Sequence, residues 1–371
     1  MPELWWFAHC PVSGVADWAM TRVRRSPTKR REAIEITGNA LAVALQAAIL
    51  EAVQRKRIGN SRGRVDKKLV SAHQEIAQTL AGWYRNADPR SVWPIITPYA
   101  NYLLDLLDAP MDDSDRAALV TVVVGVHAQA GLWACHLHRP SLAYRYLATS
   151  REVAAASSDR SLRARSLGAL SYLFSSAPRG GQGGNPQHCL ALLDEALELA
   201  HHADPFTRGW LLTWRADQHA TLGNLSAARA DVELADADLD SLDSGQLAGF
   251  FSRSTYGYGM KGHLVRLRTM TFALSGDRLN LEQAFLEVLS STANLRHQVC
   301  ALANLAVVSA AAGEPERACA ALSHSIQLAA QDHYNMGLQR AIGVRQHFDQ
   351  SWAILPAVRE LDDRLHHLAI S

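Results

Sequence analysis

The chain has 371 residues, of which 48% are hydrophobic and 7% aromatic, and its formal net charge is +1. That length exceeds what one compact core serves, so two domains or an elongated repeat is expected, and the balanced charge excludes a uniformly basic nucleic-acid-binding surface. Five widely spaced cysteines, Cys10, Cys135, Cys189, Cys300 and Cys319, include no CxxC pair, which excludes a disulfide framework and a zinc site as organising devices.

Residues 1–28 carry Glu3 in place of a basic leader and read as an N-terminal extension. Arg30 and Arg31 precede an apolar stretch, but Glu32 and Glu35 follow them, unlike a twin-arginine signal. The expected compartment is the cytoplasm. From Met20 to Lys68 thirteen Lys or Arg stand against four acids, so 29–63 reads as a basic linker helix. Within it "ALAVALQAAIL" is too short to span a bilayer, and no membrane contact is expected.

From residue 64 onward helix punctuation recurs. Asp88 precedes Pro89, Asn185 precedes Pro186 and Asp204 precedes Pro205; Pro140 and Pro315 open two further segments. In each, a side chain that accepts an orphan backbone N–H, or a proline that presets φ, marks a helix start. Gly313 suits a left-handed C′ position between two helices. First helices are expected at about 65–84, 115–136, 162–176, 206–222, 250–274 and 295–311. The apolar run "VTVVVGV" is read as buried helix because its surroundings are of helical length.

Second helices align on Val92, Ala143, Cys189, Ala228, Ala284 and Ala318. The last interval is 34 residues, the tetratricopeptide period, and the others are longer, as in a degenerate array with grown loops. Insertions are read at 178–184 and around 236–243. "PAVRELDDRLHHLAIS" flanks Val358, Leu361 and Leu365 with charges, as a terminal helix with one polar face would. The expected fold is all-α, an α-solenoid of about six tetratricopeptide-like hairpins over 64–371 with a C-terminal capping helix.

"KRREAIEITG" (29–38), "WYRNADPRSV" (83–92), "GEPERACAAL" (313–322) and "PAVRELDDRL" (356–365) together resemble the C-terminal sensor regions of bacterial helix-turn-helix transcriptional regulators of the xenobiotic-response-element type. The resemblance runs from about Lys29 to the C-terminus and implies a tetratricopeptide-like sensory or partner-binding body. The 28 residues before Lys29 hold no pair of amphipathic helices joined by a short turn, so the DNA-reading head of such regulators is not expected among them.

Candidate ligand contacts follow from residue type. In "GFFSRSTYGYGMKGHLVR", glycines that weaken a helix accompany Phe251, Arg253, Tyr256, Tyr258, Lys261 and Arg266, side chains suited to stacking and to anion contacts. Trp210, Trp214 and Gln218 repeat at one-turn intervals on a first helix, and Asn304, with Gln298, offers amides to a peptide backbone. Core packing explains each of these equally well. His136 with His138, His201 with His202 and His366 with His367 lack ligand spacing, so no metal is expected. No GxSxG, HExxH or phosphate loop occurs, and neither catalysis nor a cofactor is expected.

The leading expectation is a non-enzymatic regulatory protein that binds a peptide, a protein partner or a small effector on the concave face. One alternative is a DNA-binding regulator that uses the basic segment as a homodimer. Another is a biosynthetic enzyme or accessory protein with a pocket near Tyr256.

Overall fold

The computed structural model describes residues 64–83, 89–137, 139–175, 184–201, 204–240, 295–331, 334–346 and 348–370. Residues 1–63, the expected helix at 250–274 and the anchor Ala284 lie outside them. Among the described residues the regular structure is all helical, with twelve α-helices and two short 3-10 segments.

Contacts divide the chain into two units, taken here one at a time: described residues 64–77 and 89–123 form one, and 78–83 and 124–370 the other. The division falls inside the range that the sequence reading treats as one solenoid.

The first unit holds most of α1 (Lys67–Trp83), α2 (Pro89–Leu106) and the start of α3 (Asp113–His136). Its entry is pinned where Val65 N–H donates to the Pro110 carbonyl (3.0 Å) and Arg64 pairs with Asp112. Val92, Ile96, Tyr99 and Leu103, spaced at one face of α2, are all buried. His73 of α1 is buried against them and stacks obliquely on Tyr102 at 5.6 Å.

Helix α3 is apolar and long enough to cross a membrane, but 83% of its most apolar window is buried in the protein, as in a core helix. The run read as buried helix lies in it, with Val122, Val123, Val124 and Val126 covered.

The second unit continues with α4 (Pro140–Ala155), α5 (Arg160–Ser171), a 3-10 turn at Tyr172–Phe174, α6 (Pro186–Ala200), α7 (Pro205–Thr221) and α8 (Leu225–Asp240). After the undescribed stretch come α9 (Leu295–Ala311), α10 (Pro315–Gln331), α11 (Asn335–Gln346), a second 3-10 turn and α12 (Pro356–Ile370). Each of α4 to α7 packs on the next, α5 also meets α7, and α9 meets both α10 and α11. The starts at Asn185 and Asp204 are capped as the sequence implies, and α5 has a further cap in Asp159. Asp159, Asn185 and Asp204 accept from Leu162, His188 and Thr207 N–H at 3.0, 3.0 and 2.8 Å.

Gly223 and Gly313 sit at φ 79° and 75°, and nothing would touch an added Cβ, so the backbone conformation alone calls for glycine there. Behind each, the N–H three residues past the helix end reaches back to a carbonyl of the last turn: Asn224 to His219 (2.8 Å) and Glu314 to Ser309 (2.9 Å).

The second helices share one register. Counting three, seven, ten and fourteen residues from the opening proline gives Ala143, Leu147, Ser150 and Ala154 in α4, then Cys189, Leu193, Ala196 and Ala200 in α6. The same count in α10 gives Ala318, Leu322, Ser325 and Ala329, and all twelve are fully buried. In α8, Ala228, Val232 and Ala235 occupy the first three of these places, also buried. The hairpin geometry repeats as well. Ser150 Oγ donates to the Val124 carbonyl (2.9 Å) and Ser325 Oγ to the Val299 carbonyl (2.8 Å), each across 26 residues.

One reading needs correction. Residues 236–240 are not an insertion but the last turn and a half of α8. Asp231 and Asp238, two turns apart, face Arg215 and Arg208 of α7, two turns apart in the opposite direction. Asp231 and Asp238 thus cross-link two helices.

Helix α12 packs on α10 with Val358 and Leu361 buried and Arg359, Glu360, Asp363 and Arg364 exposed.

Candidate functional site

Helix α7 sets Trp210, Trp214 and Gln218 on one stripe, but the stripe is inside: they are 2%, 7% and 0% exposed. The indoles meet edge to face with centroids 6.4 Å apart, and Tyr172 adds its own edge to Trp214 at 4.9 Å. Trp210 and Leu211 close over Gly168 of α5, where an added Cβ would stand 2.5 Å from Leu211 and 2.6 Å from Trp210. The tryptophans therefore present no open stacking surface; they join α5 to α7. The helix interface selects the glycine.

Gln218 Nε2 donates to Asp217 Oδ2 (3.2 Å), leaving Gln218 Oε1 buried with no partner. Arg215 is fully engaged: Nε and Nη2 meet both oxygens of Asp231 at 2.9 and 2.7 Å, and Nη1 meets Asp194 of α6 at 2.8 Å. This clamp spans three helices and belongs to the scaffold.

Asn304 of α9 is 3% exposed. Its Oδ1 accepts from Arg340 Nη2 of α11 at 2.5 Å. Its Nδ2 is buried without a hydrogen-bond partner, as is Arg340 Nε. The shared 26-residue spacing of the two serine bonds aligns Val299 with Val124, so Asn304 falls five residues on in α9 where Gln129 falls five on in α3. Gln129 is 1% exposed, and both its amide atoms are buried with no partner. Two hairpins thus carry a buried, incompletely satisfied carboxamide at one repeat position. Buried amides with unmade hydrogen bonds are rare and costly, about 1–3 kcal/mol each.

The segment leading into α11 ties distant parts of this unit together. Tyr172 O–H donates to Met336 Sδ at 3.4 Å across 164 residues, and Tyr334 lies 5.6 Å from the His136 ring. Such closure goes beyond contacts between neighbours in a linear stack.

Gln129 and Arg340 were not singled out by sequence. The first had a signal, a polar residue inside a long apolar run; the second had none. Phe251, Arg253, Tyr256, Tyr258, Lys261 and Arg266 lie outside the described residues. Burial pushes the thiols of Cys135 and Cys189 up to about 12, so neither supplies a thiolate nucleophile near neutral pH. Among the described residues no cluster of His, Cys, Asp and Glu could hold a metal ion. What the described arrangement offers a ligand is hydrogen bonding and one cation. No family model matches this sequence, and no curated protein matches it.

Proposed function

We propose that the chain is a non-enzymatic, cytoplasmic regulatory scaffold, an α-solenoid of about six tetratricopeptide-like hairpins, that binds an extended peptide segment of a partner along its first helices. The single observation that carries this reading is the repeated amide. Gln129 and Asn304 occupy one repeat position, both are buried, and both have polar atoms lacking partners. A carboxamide offers a donor and an acceptor together, which is what a peptide backbone requires of each contact, and repetition along successive helices would track an extended chain. Small anchors on the second helices and the recurring serine bond support the repeat architecture.

Thermal unfolding of the full chain with a pooled library of random decapeptides tests the proposal. Binding to the folded state raises the melting temperature by mass action. The expected result is a rise that Gln129→Leu reduces while the unliganded variant melts no lower than the parent. No rise with any pool removes the reading.

A further inference from the structure

Arg340 is half-buried, and its hydrogen-bond partner is an amide, not an acid. Several other partly covered guanidiniums in the same unit meet carboxylates, Arg165 with Asp204, Arg208 with Asp238, Arg215 with Asp231 and Asp194, and Arg345 with Asp362, whereas Arg163, like Arg340, does not. Among the described residues Arg340 makes no ion pair, and its one hydrogen bond goes to the Asn304 carbonyl oxygen. That contact orients the carboxamide, since Oδ1 is taken and Nδ2 becomes its free end. The two buried atoms left over, Asn304 Nδ2 and Arg340 Nε, are both donors. What is missing is therefore an acceptor, and an anionic one suits a half-buried guanidinium that meets no carboxylate among the described residues.

We infer that Arg340 and Asn304 form a binding site for a carboxylate, the group by which the ligand of the proposed scaffold is anchored. A carboxylate is planar, carries two acceptor oxygens and no donor, and so matches two adjacent orphan donors on a guanidinium and an amide. Solvent comes close to the site. Val307, one helical turn from Asn304, is 41% exposed, and Arg340 itself is not fully covered. The inference rests on the scaffold reading but is separable from it. A peptide carboxylate can come from a chain terminus or from an Asp or Glu side chain, and the test distinguishes these sources.

The full chain is titrated with four peptide pools of equal length: free C-terminus without acidic residues, amidated with Glu, amidated with Gln in place of Glu, and the free-terminus pool in excess inorganic phosphate. Tight binding of the first pool assigns the site to a terminal carboxylate, and tight binding of the second assigns it to a side chain; the third is expected to bind at least tenfold more weakly. Arg340→Met and Arg340→Lys should each lose that tenfold preference, the lysine variant because it keeps the charge but lacks the Nε donor and the planar fork. Unliganded Arg340→Met should melt within about 2 °C of the parent or above it, whereas a purely structural arginine would lower the melting temperature. Equal binding of the amidated Gln pool, unchanged discrimination in Arg340→Lys, or complete displacement by phosphate overturns the carboxylate site and leaves the scaffold intact. If no pool binds at all, both fall together.

Discussion

His73 makes the stability of the first unit depend on pH in a direction that the structure dictates. Tyr99 O–H donates to the His73 carbonyl (3.3 Å), so the phenol oxygen accepts from Nδ1–H (3.1 Å), and Nε2 is left buried with no partner. Protonating Nε2 would place a charge among Tyr99 and Tyr102, away from water. Burial accordingly lowers the His73 pKa from 6.5 to about 4. Between those values the unfolded chain binds the extra proton and the folded chain does not. The contribution is therefore fully present above pH 6.5 and is lost as pH falls towards 4. Integrated from pH 7.5 to 4.5, the loss is about 2.5 kcal/mol, a large share of an ordinary folding stability. The assay is urea unfolding of the parent and of His73→Phe over a pH series, because carboxylates common to both chains cancel in the difference. The parent should lose about 1.4 kcal/mol per pH unit relative to the variant below pH 6. A flat difference, or one of opposite sign, would refute the assignment of a neutral buried imidazole.

Two further perturbations probe the repeat contacts. Gly131→Ala would put a Cβ 2.5 Å from Leu147 Cγ and 3.2 Å from the Ala143 carbonyl oxygen, and Leu147 is fully buried with little room to shift. Overpacking of about 1–3 kcal/mol exceeds the gain of about 1 kcal/mol in helix propensity, so calorimetry should find the variant destabilised, and Gly131→Ala combined with Leu147→Ala should lose less than the sum of the two. Arg215→Met would strand Asp231, whose side chain is 5% exposed, and should cost about 3 kcal/mol, most of it regained in a double variant that also carries Asp231→Leu. Asp194→Asn should cost under about 1 kcal/mol, because that carboxylate is 57% exposed, and a loss equal to that of Arg215→Met in denaturant titrations would contradict the clamp.

The second helices were legible because their signals are local. A proline or a capping side chain opens each one, and a small residue three places on lets two helices approach, as at Ala143, Cys189 and Ala318. The first helices were harder to read. Trp210 and Trp214 carry the same one-turn spacing whether they line a groove or seal a core, and only Gly168, some forty residues earlier, decides for the core. The acids of α8 looked like a loop because their partners, Arg208 and Arg215, lie on the preceding helix. Arg340 was invisible for a related reason. An arginine is remarkable in structure only when no acid faces it, and that depends on Asn304, 36 residues away.

Whether the first-helix amides serve the fold can be argued from α7. Ala235 of α8 occupies the repeat place of Ser150 and Ser325, and stepping back the same 26 residues reaches Gly209, so Ala216 corresponds to Gly131 and Ala306. Packing agrees, because Ala216 clusters with Val232 as Gly131 abuts Leu147. In that register the place held by Gln129 in α3 and Asn304 in α9 is held in α7 by Trp214, buried against Tyr172. The hairpin thus accepts a large aromatic side chain at this position, and its packing demands no carboxamide there. An apolar residue would also avoid the penalty of about 1–3 kcal/mol for an unmatched buried polar group. The carboxamide at Gln129, neither of whose polar atoms has a partner, is therefore stability forgone by the scaffold itself, which is the relation expected of a side chain whose partners arrive with a ligand.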